Sequence, residues 1–439
     1  MIRLIRIVCA LAVSLALRPA SAQEPDFANT LIVDPNGSPS ANHMTIQAAI
    51  NAFGSSTTKK TVLIYAGTYN DVVTLDDTKE NIDLIGIDRD AVTIAPTSTG
   101  HGIEITSGTE TSRNNSIRNL TIKTTDGAGI KITKGGGGGD QAPADIILEN
   151  VTISADGTAS RGINGPDSDR VQVINCHVTT DDGVGIFVDE NWIIRDTTVN
   201  SFGTAKDGIG GTSGGDSAQI INCKIDADNG EGIMPSGDGW YIQGTRVEAL
   251  GTDRIGIDVT NKNNTTVRDC DSVGGDRGIY VNNSDNFQAF SSKFRGGEFG
   301  GLIFSASDNA LFEDCFLFGD GTILATSPAR IQGVMMDTAS PSNRPSVTFK
   351  GCRIVAEEAT DEVVGVDVDV ANPARLIDCE IIATNTDTDD ASTAYGVYTT
   401  VESGDLGAII VGGVIRSSRP RRSRSRSSTC IAGAATRPR

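Results

Sequence analysis

Two short phrases alternate through residues 162–317 at a nearly constant spacing. The first is Gly-Ile, which returns every 22 to 24 residues, and the second is usually Asn or Asp followed by Cys, Thr or Ser. A fixed period of this length predicts a solenoid, in which each repeat buries its apolar residues only against its neighbours. The first phrase begins at Gly162, Gly185, Gly208, Gly232, Gly256, Gly278 and, with Leu302 in place of Ile, Gly301; the second is Asn175-Cys176, Asp196-Thr197, Asn222-Cys223, Gly244-Thr245, Asp269-Cys270, Ser291-Ser292 and Asp314-Cys315.

Within each repeat the apolar residues alternate with polar ones. Residues 171–178 read VQVINCHV, and residues 192–199 read WIIRDTTV. This alternation is typical of short strands and argues against amphipathic helices. Each repeat supplies about three such strands, and three strands per coil, stacked coil on coil, make a parallel β-helix. The predicted fold class is therefore all-β.

This pattern resembles the right-handed parallel β-helix (pectin-lyase-like) superfamily over most of the chain. The Asn or Asp of the second phrase resembles that family's asparagine ladder, at the tight turn between its second and third strands. The Gly-Ile strand resembles its first strand, whose outer face forms the substrate groove. The resemblance implies a single-stranded, right-handed solenoid of about a dozen coils with an N-terminal cap. It does not choose an activity, because the scaffold carries lyases, hydrolases, esterases, epimerases, tailspikes and adhesins.

The N-terminus has the features of a cleavable export signal. Arg3 and Arg6 precede an apolar run at 7–17, and Ala20-Ser21-Ala22 forms a cleavage site. Residues 1–22 are therefore predicted to be a signal peptide, and the mature protein is expected to be secreted, periplasmic or at the cell surface. No later apolar run is long enough to span a bilayer.

The remaining chain divides into a cap, the solenoid and a tail. Residues 23–80 are predicted to cap the first coil, with a short helix that buries Ile46, Ala49 and Ile50. The phrases TIQAAI and IYAGTY in this segment resemble the N-terminal start of pectin methylesterases. Residues 81–415 are predicted to form the β-helix, with a loop at 134–145, one lengthened coil at 319–345 and a stretched turn at 385–396; such insertions often wall a binding site.

Residues 416–439 are rich in Arg and Ser and are predicted to be disordered. One interpretation is a basic arm that binds polyanions or the acidic body of the protein. The other is a tail without a role, or a reading-frame artefact that replaces the true last coils. The second interpretation is favoured, because the composition changes where the repeat is lost.

The body of the protein is strongly acidic. The formal net charge is −19, and because residues 1–22 hold three arginines and residues 416–439 hold eight without any acid, residues 23–415 carry about −30. Such a surface repels nucleic acid, so no nucleic-acid partner is expected. An acidic sugar would need bound Ca²⁺ or a local basic patch. No other cofactor is indicated.

The cysteines are not expected to form disulfides along most of the solenoid. Cys176, Cys223, Cys270 and Cys315 recur in every second coil. Consecutive members then lie about 9.6 Å apart if coils stack at ~4.8 Å, beyond disulfide reach. They are predicted to be small buried residues of one column. Cys315, Cys352 and Cys379 fall on adjacent coils, where one bridge is sterically allowed.

Two other columns are predicted to be structural. Trp192 and Trp240 each lie five residues before the Cys/Thr column and alternate largely with small residues, which favours core packing over stacking against sugars. The Asn and Asp residues of the second phrase are expected to bond the backbone of neighbouring turns rather than a metal. The ladder comprises Asn119, Asn150, Asn175, Asp196, Asn222, Asp269, Asp314 and Asp378.

The outward side chains of the Gly-Ile strands carry the functional prediction. Charged turns precede these strands, so that carboxylates of adjacent coils come within coupling distance, about 4.8 Å per coil. Three outcomes are open: raised pKa values suited to acid–base chemistry, a Ca²⁺ site, or a solvated acidic edge, which is the simplest. The predicted outward residues are Glu104, Lys131, Asn164, Phe187, Gly210, Met234, Asp258, Tyr280 and Ile303; the turns contribute Asp181, Asp182, Asp207, Asp228, Glu231, Asp253, Arg254, Asp276, Arg277 and Glu298.

We hypothesise a catalytic group in which Arg254 or Arg277 neutralises a uronate and Tyr280 is the acid or base of an elimination. Alternatively, Asp258 pairs with Asp207 or Asp276 as the two carboxylates of a hydrolase. The predicted catalytic residues are Asp258, Tyr280, Arg254 and Arg277; the predicted substrate groove is Asp182, Phe187, Asp207, Glu231, Met234, Asp253 and Asp276.

Two functions from different classes fit the sequence. The first is an enzyme, lyase-like or hydrolase-like, that acts on acidic polysaccharide; the second is a non-catalytic surface or adhesin-like protein that binds a glycan. The sharper motifs of the resembled enzymes are missing: Asp181-Asp182 stands alone, no Gly-His-Gly is present, and the only histidines are His43, His101 and His177. Polysaccharide is the expected partner in both cases.

Overall fold

The computed structural model describes residues 29–418 apart from 56, 98, 108–112, 135–142, 159, 205, 212, 324–328, 338–344, 369–373, 386–391 and 400–407. The predicted signal peptide at 1–22 lies outside the described residues. So do residues 419–439 of the predicted tail, residues 135–142 and 386–391 of the first and third predicted insertions, and residues 324–328 and 338–344 of the second. The only helix in the described part of the chain is Ile46–Ala52; the other regular elements are strands.

The strands stack in parallel into a solenoid with three faces, which we call sheets 1, 2 and 3 in the order of the first regular coil. Sheet 1 contains the Gly-Ile strands. Its members are Val73–Leu75, Ile103–Ser107, Ile130–Lys134, Ile163–Asn164, Ile186–Val188, Ile209–Gly211, Ile255–Thr260, Arg277–Asn282, Phe299–Phe304, Arg330–Asp337, Glu362–Val368 and Thr393–Thr399. Single bridges from Ile209 to Ile233 and from Ile233 to Ile257 join its two halves.

Sheets 2 and 3 meet at the tight turn that holds the predicted ladder. Sheet 2 contains Thr30–Val33, Lys60–Ile64, Ile82–Gly86, Gln172–Ile174, Ile193–Arg195, Gln219–Ile221, Tyr241–Gln243, Thr266–Arg268, Gln288–Phe290, Ala310–Glu313, Val347–Lys350, Ala374–Ile377 and Ala408–Val411. Sheet 3 contains Gly67–Tyr69, Val92–Ile94, His177–Asp182, Thr198–Thr204, Lys224–Asn229, Arg246–Ala249, Asp271–Gly274, Lys293–Gly296, Phe316–Asp320, Arg353–Glu357, Glu380–Thr384 and Val414–Ser418. The long strands Ser116–Thr124 and Ile147–Thr158 run through both sheets.

The coils stack in register, so one residue type forms a column along the solenoid. Ile163, Ile186, Ile209, Ile233 and Ile257 lie directly above one another in sheet 1 and are buried. Stacking in register is what a fixed sequence period requires, since each coil must bury its apolar face against the next. The predicted parallel β-helix is confirmed.

One coil is out of step with the predicted period. Gly301 pairs with Ile279, Leu302 pairs with Tyr280, and Ile303 pairs with the buried Val281. The reason is that Gly300, one residue earlier, occupies the place of the repeat glycine. Ile303 is therefore buried in the core, and the prediction that it faces outward is wrong; Leu302 holds the outward position.

The interior is filled by the predicted column of large and small residues. Trp192 and Trp240 are fully buried, and their indole Nε1 atoms donate hydrogen bonds to Ser168 Oγ at 3.1 Å and to the Gly215 carbonyl at 2.7 Å. The indoles contribute apolar volume while each N–H keeps a partner. The prediction that they belong to the core is confirmed.

The ladder residues hold the turn between sheets 2 and 3. Asn150 Nδ2 donates to Asn119 Oδ1 at 2.9 Å, and Asn175 Nδ2 donates to Asn150 Oδ1 at 3.4 Å. These residues adopt left-handed backbone angles, with φ of 55° at Asn119 and Asn150 and 50° at Asn175. Asn, Asp and Gly tolerate that conformation best, which explains the residue types of the second phrase. The predicted structural role is confirmed, but these hydrogen bonds join side chains of adjacent coils and do not go to the turn backbone as predicted.

The six described cysteines, Cys176, Cys223, Cys270, Cys315, Cys352 and Cys379, are free and buried. Cys176 Sγ contacts the carbonyl oxygens of Leu148 and Ile174 at 3.6 and 3.4 Å. The prediction of buried thiols in one column is confirmed. The bridge allowed among the last three cysteines is not formed.

Both ends of the described solenoid can be compared with the predicted boundaries. Near the N-terminus, Thr45 caps the helix, Asp71 Oδ2 accepts the Ile46 N–H at 2.7 Å, and Ile46, Ala49 and Ile50 are the buried face. Near the other end, the strand Val414–Ser418 extends three residues into the predicted tail. Within the segment at 319–345, predicted as one lengthened coil, residues 330–337 form a regular strand of sheet 1.

Candidate active site

The candidate site lies where successive turns enter sheet 1. The residue directly before the repeat glycine is Asp207, Glu231, Ile255, Arg277 and Phe299 in five consecutive coils, which backbone hydrogen bonds and strand pairing place side by side. A second row, on the outer face of the strands, contains Met234, Asp258, Tyr280 and Leu302. In-register stacking thus brings charged residues that lie far apart in sequence into one patch.

Three carboxyl groups on consecutive coils, Asp207, Glu231 and Asp258, form what we call the acidic cluster. Asp207 Oδ1 accepts the Glu231 N–H at 3.1 Å, and Glu231 Oε2 accepts the Ile255 N–H at 2.6 Å. Thr260 Oγ1 donates to Asp258 Oδ1 at 2.6 Å. Arg254 Nη1 lies 3.6 Å from Glu231 Oε1.

Burial and mutual repulsion favour protonation of the acidic cluster. Burial, together with the charges of Asp258 and Asp207, raises the pKa of Glu231 to about 7, and these effects outweigh its hydrogen bond from Ile255 and the charge of Arg254. Burial also raises the pKa values of Asp207 and Asp258. A carboxyl group that titrates near neutral pH can act as a general acid.

The next two coils hold a group built around Arg277, which we call the arginine–tyrosine group. Arg277 Nη2 lies 3.0 Å from Asp276 Oδ2, and its guanidinium lies 4.9 Å from the ring centroid of Tyr280 and 5.7 Å from that of Phe299. Burial raises the pKa of Asp276, although Arg277 opposes the shift. Burial and a hydrogen bond with Asp276 raise the pKa of Glu298 to about 7.

The coils of this solenoid match a known protein family. The family described as the right-handed β-helix region matches residues 161–317 and 207–406, which together cover more than half of the chain. This chain belongs to the right-handed β-helix family. The predicted superfamily and handedness are therefore confirmed, and no more specific family is indicated.

Solved structures with a similar fold are distant from this β-helix. The A-module of the mannuronan C-5 epimerase AlgE4 from Azotobacter vinelandii is 14% identical, with a TM-score of 0.48, over 84% of this chain and 95% of that one. The catalytic domain of a GH87 α-1,3-glucanase is 11% identical, with a TM-score of 0.49, over 89% and 69%. These similarities are too weak to assign an activity. No curated protein matches the chain.

The β-helix brings most of the predicted site residues together. Asp207, Glu231, Arg254 and Asp258 form one group, and Asp276, Arg277 and Tyr280 form the adjacent one. Asp253 is exposed beside the second group, at a left-handed position with φ of 59°. Met234 is half-buried on the outer face, between the rows of Gly210 and Asp258. The chemical roles of all these residues remain predictions.

Two predicted groove residues lie apart from these groups. Asp182 ends a strand of sheet 3 and stands before the turn into sheet 1. Phe187 is on the outer face of sheet 1 but three coils from Asp258, and the guanidinium of Arg161 covers its ring at 3.8 Å. An aromatic ring covered in this way offers little surface to a ligand.

The predicted site omitted Glu298, although it was noted among the turn acids. Glu298 stands two residues before Gly300, as Asp276 stands two residues before Gly278. Taking Gly301 as the repeat glycine concealed this equivalence. Further along sheet 1, the buried Asp367 also escaped prediction; Arg330 Nη2 lies 2.7 Å from its Oδ2, and the Gln332 side chain donates to the same oxygen.

Other candidate ligand sites in the described ranges are less developed. Among the described residues, no three His, Cys, Asp or Glu side chains are placed to share a metal ion, so Ca²⁺ binding remains a hypothesis. No described helix is long and apolar enough to cross a membrane. A surface depression of about 270 Å³ lies beyond the opposite ends of the sheet 1 strands and contains none of the candidate-site residues; its lining is Asn261, Asn263, Asn283, Asp285, Ala306 and Asp308.

Proposed function

We propose that this β-helix protein hydrolyses a glycosidic bond of a polysaccharide in the acidic cluster. The observation that carries the proposal is that three carboxyl groups converge from consecutive coils on an open sheet face, and that one of them, Glu231, titrates near neutral pH. Glycoside hydrolysis uses such a set: one protonated carboxyl and one ionised carboxylate.

The environment of each carboxyl group suggests its role. Glu231 is the candidate general acid, which transfers its proton to the glycosidic oxygen as the bond to the sugar breaks. Asp258 or Asp207 is the candidate second carboxylate, which either takes a proton from the attacking water or attacks the anomeric carbon itself. Ionisation of one of them keeps Glu231 protonated through charge repulsion.

Hydrolysis fits the arginines better than elimination does. Elimination from a uronate needs a cation that neutralises the carboxylate of the sugar. Arg254 faces Glu231 at 3.6 Å, and Arg277 faces Asp276 at 3.0 Å, so both predicted cations already have acidic partners. The acidic cluster would also repel a uronate. A neutral sugar at the cleavage point is therefore favoured.

The shape of sheet 1 favours a polymeric substrate. Its outer face continues for several coils on either side of the acidic cluster, at about 4.8 Å per coil. A ligand that lies along this face contacts side chains from several coils at once. We further propose that the protein meets this polymer after export, as residues 1–22 predict.

A specific observation favours the alternative, a β-helix that binds a glycan without cleaving it. Asp207 and Glu231 each accept a backbone N–H from the next coil. Those hydrogen bonds are also what a purely structural ladder would make. In that case, the raised pKa values would reflect burial of turn carboxylates and not catalysis.

The test compares products and binding for the full-length protein. Neutral glycans and polyuronates are incubated with and without Ca²⁺, and reducing ends and unsaturated-uronate absorbance are followed. We expect new reducing ends without unsaturated product, and their loss in Glu231→Gln and Asp258→Asn. Asp228→Asn, at the exposed end of the sheet 3 strand just before Glu231, serves as the matched control. Unsaturated product would identify a lyase instead, and binding without any product would identify a binding module.

A further inference from the structure

The outer face of sheet 3 changes character along the solenoid. In its first half the cations are neutralised on their own strands: Lys224 Nζ lies 2.5 Å from Asp226 Oδ2, and Arg246 pairs with Glu248. Each pair sits at alternate positions of one strand and points to solvent. This half of the face offers no surplus charge to a ligand.

Two coils after Arg246, a second cation occupies the strand position that corresponds to the acid Glu248. Lys293 lies in register with Asp271 and Arg246, and Arg295 lies in register with Val273 and Glu248. Within the described ranges, neither Lys293 nor Arg295 has an ion-pair partner. These two cations therefore stand about 7 Å apart along one strand with their charges available to a ligand.

The next two coils add aromatic rings and a third cation. Phe316 and Phe318 continue the rows of Lys293 and Arg295, and their ring centroids are 5.8 Å apart at an interplanar angle of 31°. Arg353 follows Phe316 in the same row and holds its guanidinium 5.6 Å from that ring. We call Lys293, Arg295, Phe316, Phe318 and Arg353 the basic–aromatic face.

Four acids stand around this face, and they neutralise one part of it more than the other. Asp271 stands one coil before Lys293, and Glu380 stands one coil after Arg353. Glu380 is shared by two arginines, Arg353 Nε at 3.4 Å and Arg416 Nη1 at 3.2 Å. Asp320 and Glu357 end the strands that carry Phe318 and Arg353, so the unpaired positive charge of this face is confined to Lys293 and Arg295, one coil before the phenylalanines.

We infer that the basic–aromatic face binds an anionic polysaccharide, at a site separate from the acidic cluster on sheet 1. Aromatic rings stack against the apolar faces of sugars, and cations on either side can bond carboxylate or sulfate groups. The strands beneath are paired on both sides, so no free edge is offered for adding a peptide strand. That geometry favours a sugar polymer over an acidic peptide.

This inference stands whether or not sheet 1 is catalytic. The basic–aromatic face also supplies the local basic patch that an acidic sugar needs in order to bind this acidic protein. A site on sheet 3 would hold an anionic chain without drawing it into the acidic cluster. Cleavage and retention would then use different faces of one rigid rod.

The experiment is affinity electrophoresis of the full-length protein through polygalacturonate, with dextran as a neutral polymer and polyglutamate as an acidic peptide. We expect retardation by polygalacturonate alone, weakened at least tenfold in Lys293→Ala/Arg295→Ala and abolished at about 0.5 M salt. The matched control is Lys224→Ala/Arg246→Ala, which removes two cations from the same row in the first half of sheet 3.

Three results would overturn the inference: no retardation by polygalacturonate, equal retardation by polyglutamate, or equal weakening in the control. A Phe316→Leu variant separates stacking from charge, since it keeps the cations and should still weaken binding. Hydrolysis of a neutral glycan in the same preparations should be unaffected. Failure here is thus distinguishable from failure of the proposed cleavage.

Discussion

Acidic residues line two edges of this β-helix, and the two edges use them differently. At the turn between sheets 2 and 3, Asp196 and Asp269 are exposed and adopt left-handed angles, with φ of 54° and 53°. At the entrance to sheet 1, Asp207, Glu231 and Asp258 are half-buried and repel one another. The first edge uses Asp for the conformation its backbone tolerates; the second brings together carboxyl groups that resist ionisation.

This difference shows why residue type alone does not identify a site. Both edges repeat with the period of the coil, and both contain hydrogen bonds from one coil to the next. They differ in burial and in the distance between charges, which depend on how neighbouring coils cover each turn. Substitutions at the entrance to sheet 1 should therefore mainly lower activity, and substitutions at the ladder edge should mainly lower stability.

The largest expected effect is on cleavage. Glu231→Gln removes the proton that the leaving oxygen requires, so we expect the rate on an identified polysaccharide to fall at least about 100-fold. Asp269→Asn, at the ladder edge, keeps a residue that accepts left-handed angles and should leave the rate unchanged. Initial rates of reducing-end formation, measured with both variants at equal protein concentration, give the comparison.

The same two variants can also show that the two edges do not differ in function. If Asp269→Asn lost as much activity as Glu231→Gln, both would be acting through the stability of the rod. If neither lost activity, the acidic cluster would be structural. A thermal melt of each variant separates these cases, because only a destabilised rod melts at a lower temperature.

The ladder edge should show the larger effect on stability. The side chain of Asn150 donates a hydrogen bond to Asn119 and accepts hydrogen bonds from Asn175 and, at 3.1 Å, from Arg89 Nη1. The backbone φ of Asn150 is 55°. Asn150→Val places a β-branched residue at a left-handed position and removes these bonds, which should cost about 2–3 kcal/mol of unfolding free energy. Denaturant unfolding at a fixed pH measures this cost.

Asn150→Gly is the matched comparison at the ladder edge. It removes the same hydrogen bonds but tolerates the left-handed angle, so it should cost clearly less than Asn150→Val. Equal losses in the two variants would mean that the side-chain bonds, and not the backbone conformation, select the residue type at this turn.

The fold was predictable because its determinants repeat. The spacing of Gly-Ile and of Asn-Cys specifies the coil length, and large and small residues such as Trp192 and Ala218 alternate in the core. The repeat glycine was misplaced at Gly300-Gly301, because two adjacent glycines leave its position undetermined. Only the pairing of Gly301 with Ile279 resolves it.

The site was less predictable, because its chemistry depends on burial. The sequence places Asp253 and Asp276 in neighbouring turns, yet Asp253 is exposed and Asp276 is buried. Which carboxyl groups are covered depends on neighbouring coils and not on the local sequence. The basic–aromatic face escaped prediction for a related reason: its residues, from Lys293 to Arg353, span three coils of sheet 3.

A smaller effect is expected from pH. The folded-state pKa values of Glu231 and Glu298 are raised from 4.5 to about 7, so the folded state holds protons that the unfolded chain releases. The contribution of these two groups to stability should therefore be largest below about pH 4.5, decline as pH rises towards 7, and level off above that. Thermal midpoints across this range should decline less in Glu231→Gln and Glu298→Gln.

Asp269→Asn, at the exposed edge, is the matched comparison for these two variants. A parent whose thermal midpoint rises between pH 4.5 and 7 would contradict the assignment. The variants would then show that these carboxyl groups are stabilised as anions, as in an ordinary ion-paired turn.

The smallest effect is expected inside the ladder turn, at the cysteine column. Burial raises the pKa of Cys223 to about 12 and that of Cys270 to about 11, so their thiols should not react with alkylating reagents while the rod is folded. With Cys9 and Cys430 replaced by Ser, only the six thiols of the column remain to be alkylated. We expect no alkylation before unfolding, complete alkylation after it, and no change in thermal midpoint on adding reductant. A drop in the midpoint with reductant would reveal a bridge among Cys315, Cys352 and Cys379, and the interior of the turn would then be held by a covalent bond as well as by the ladder outside it.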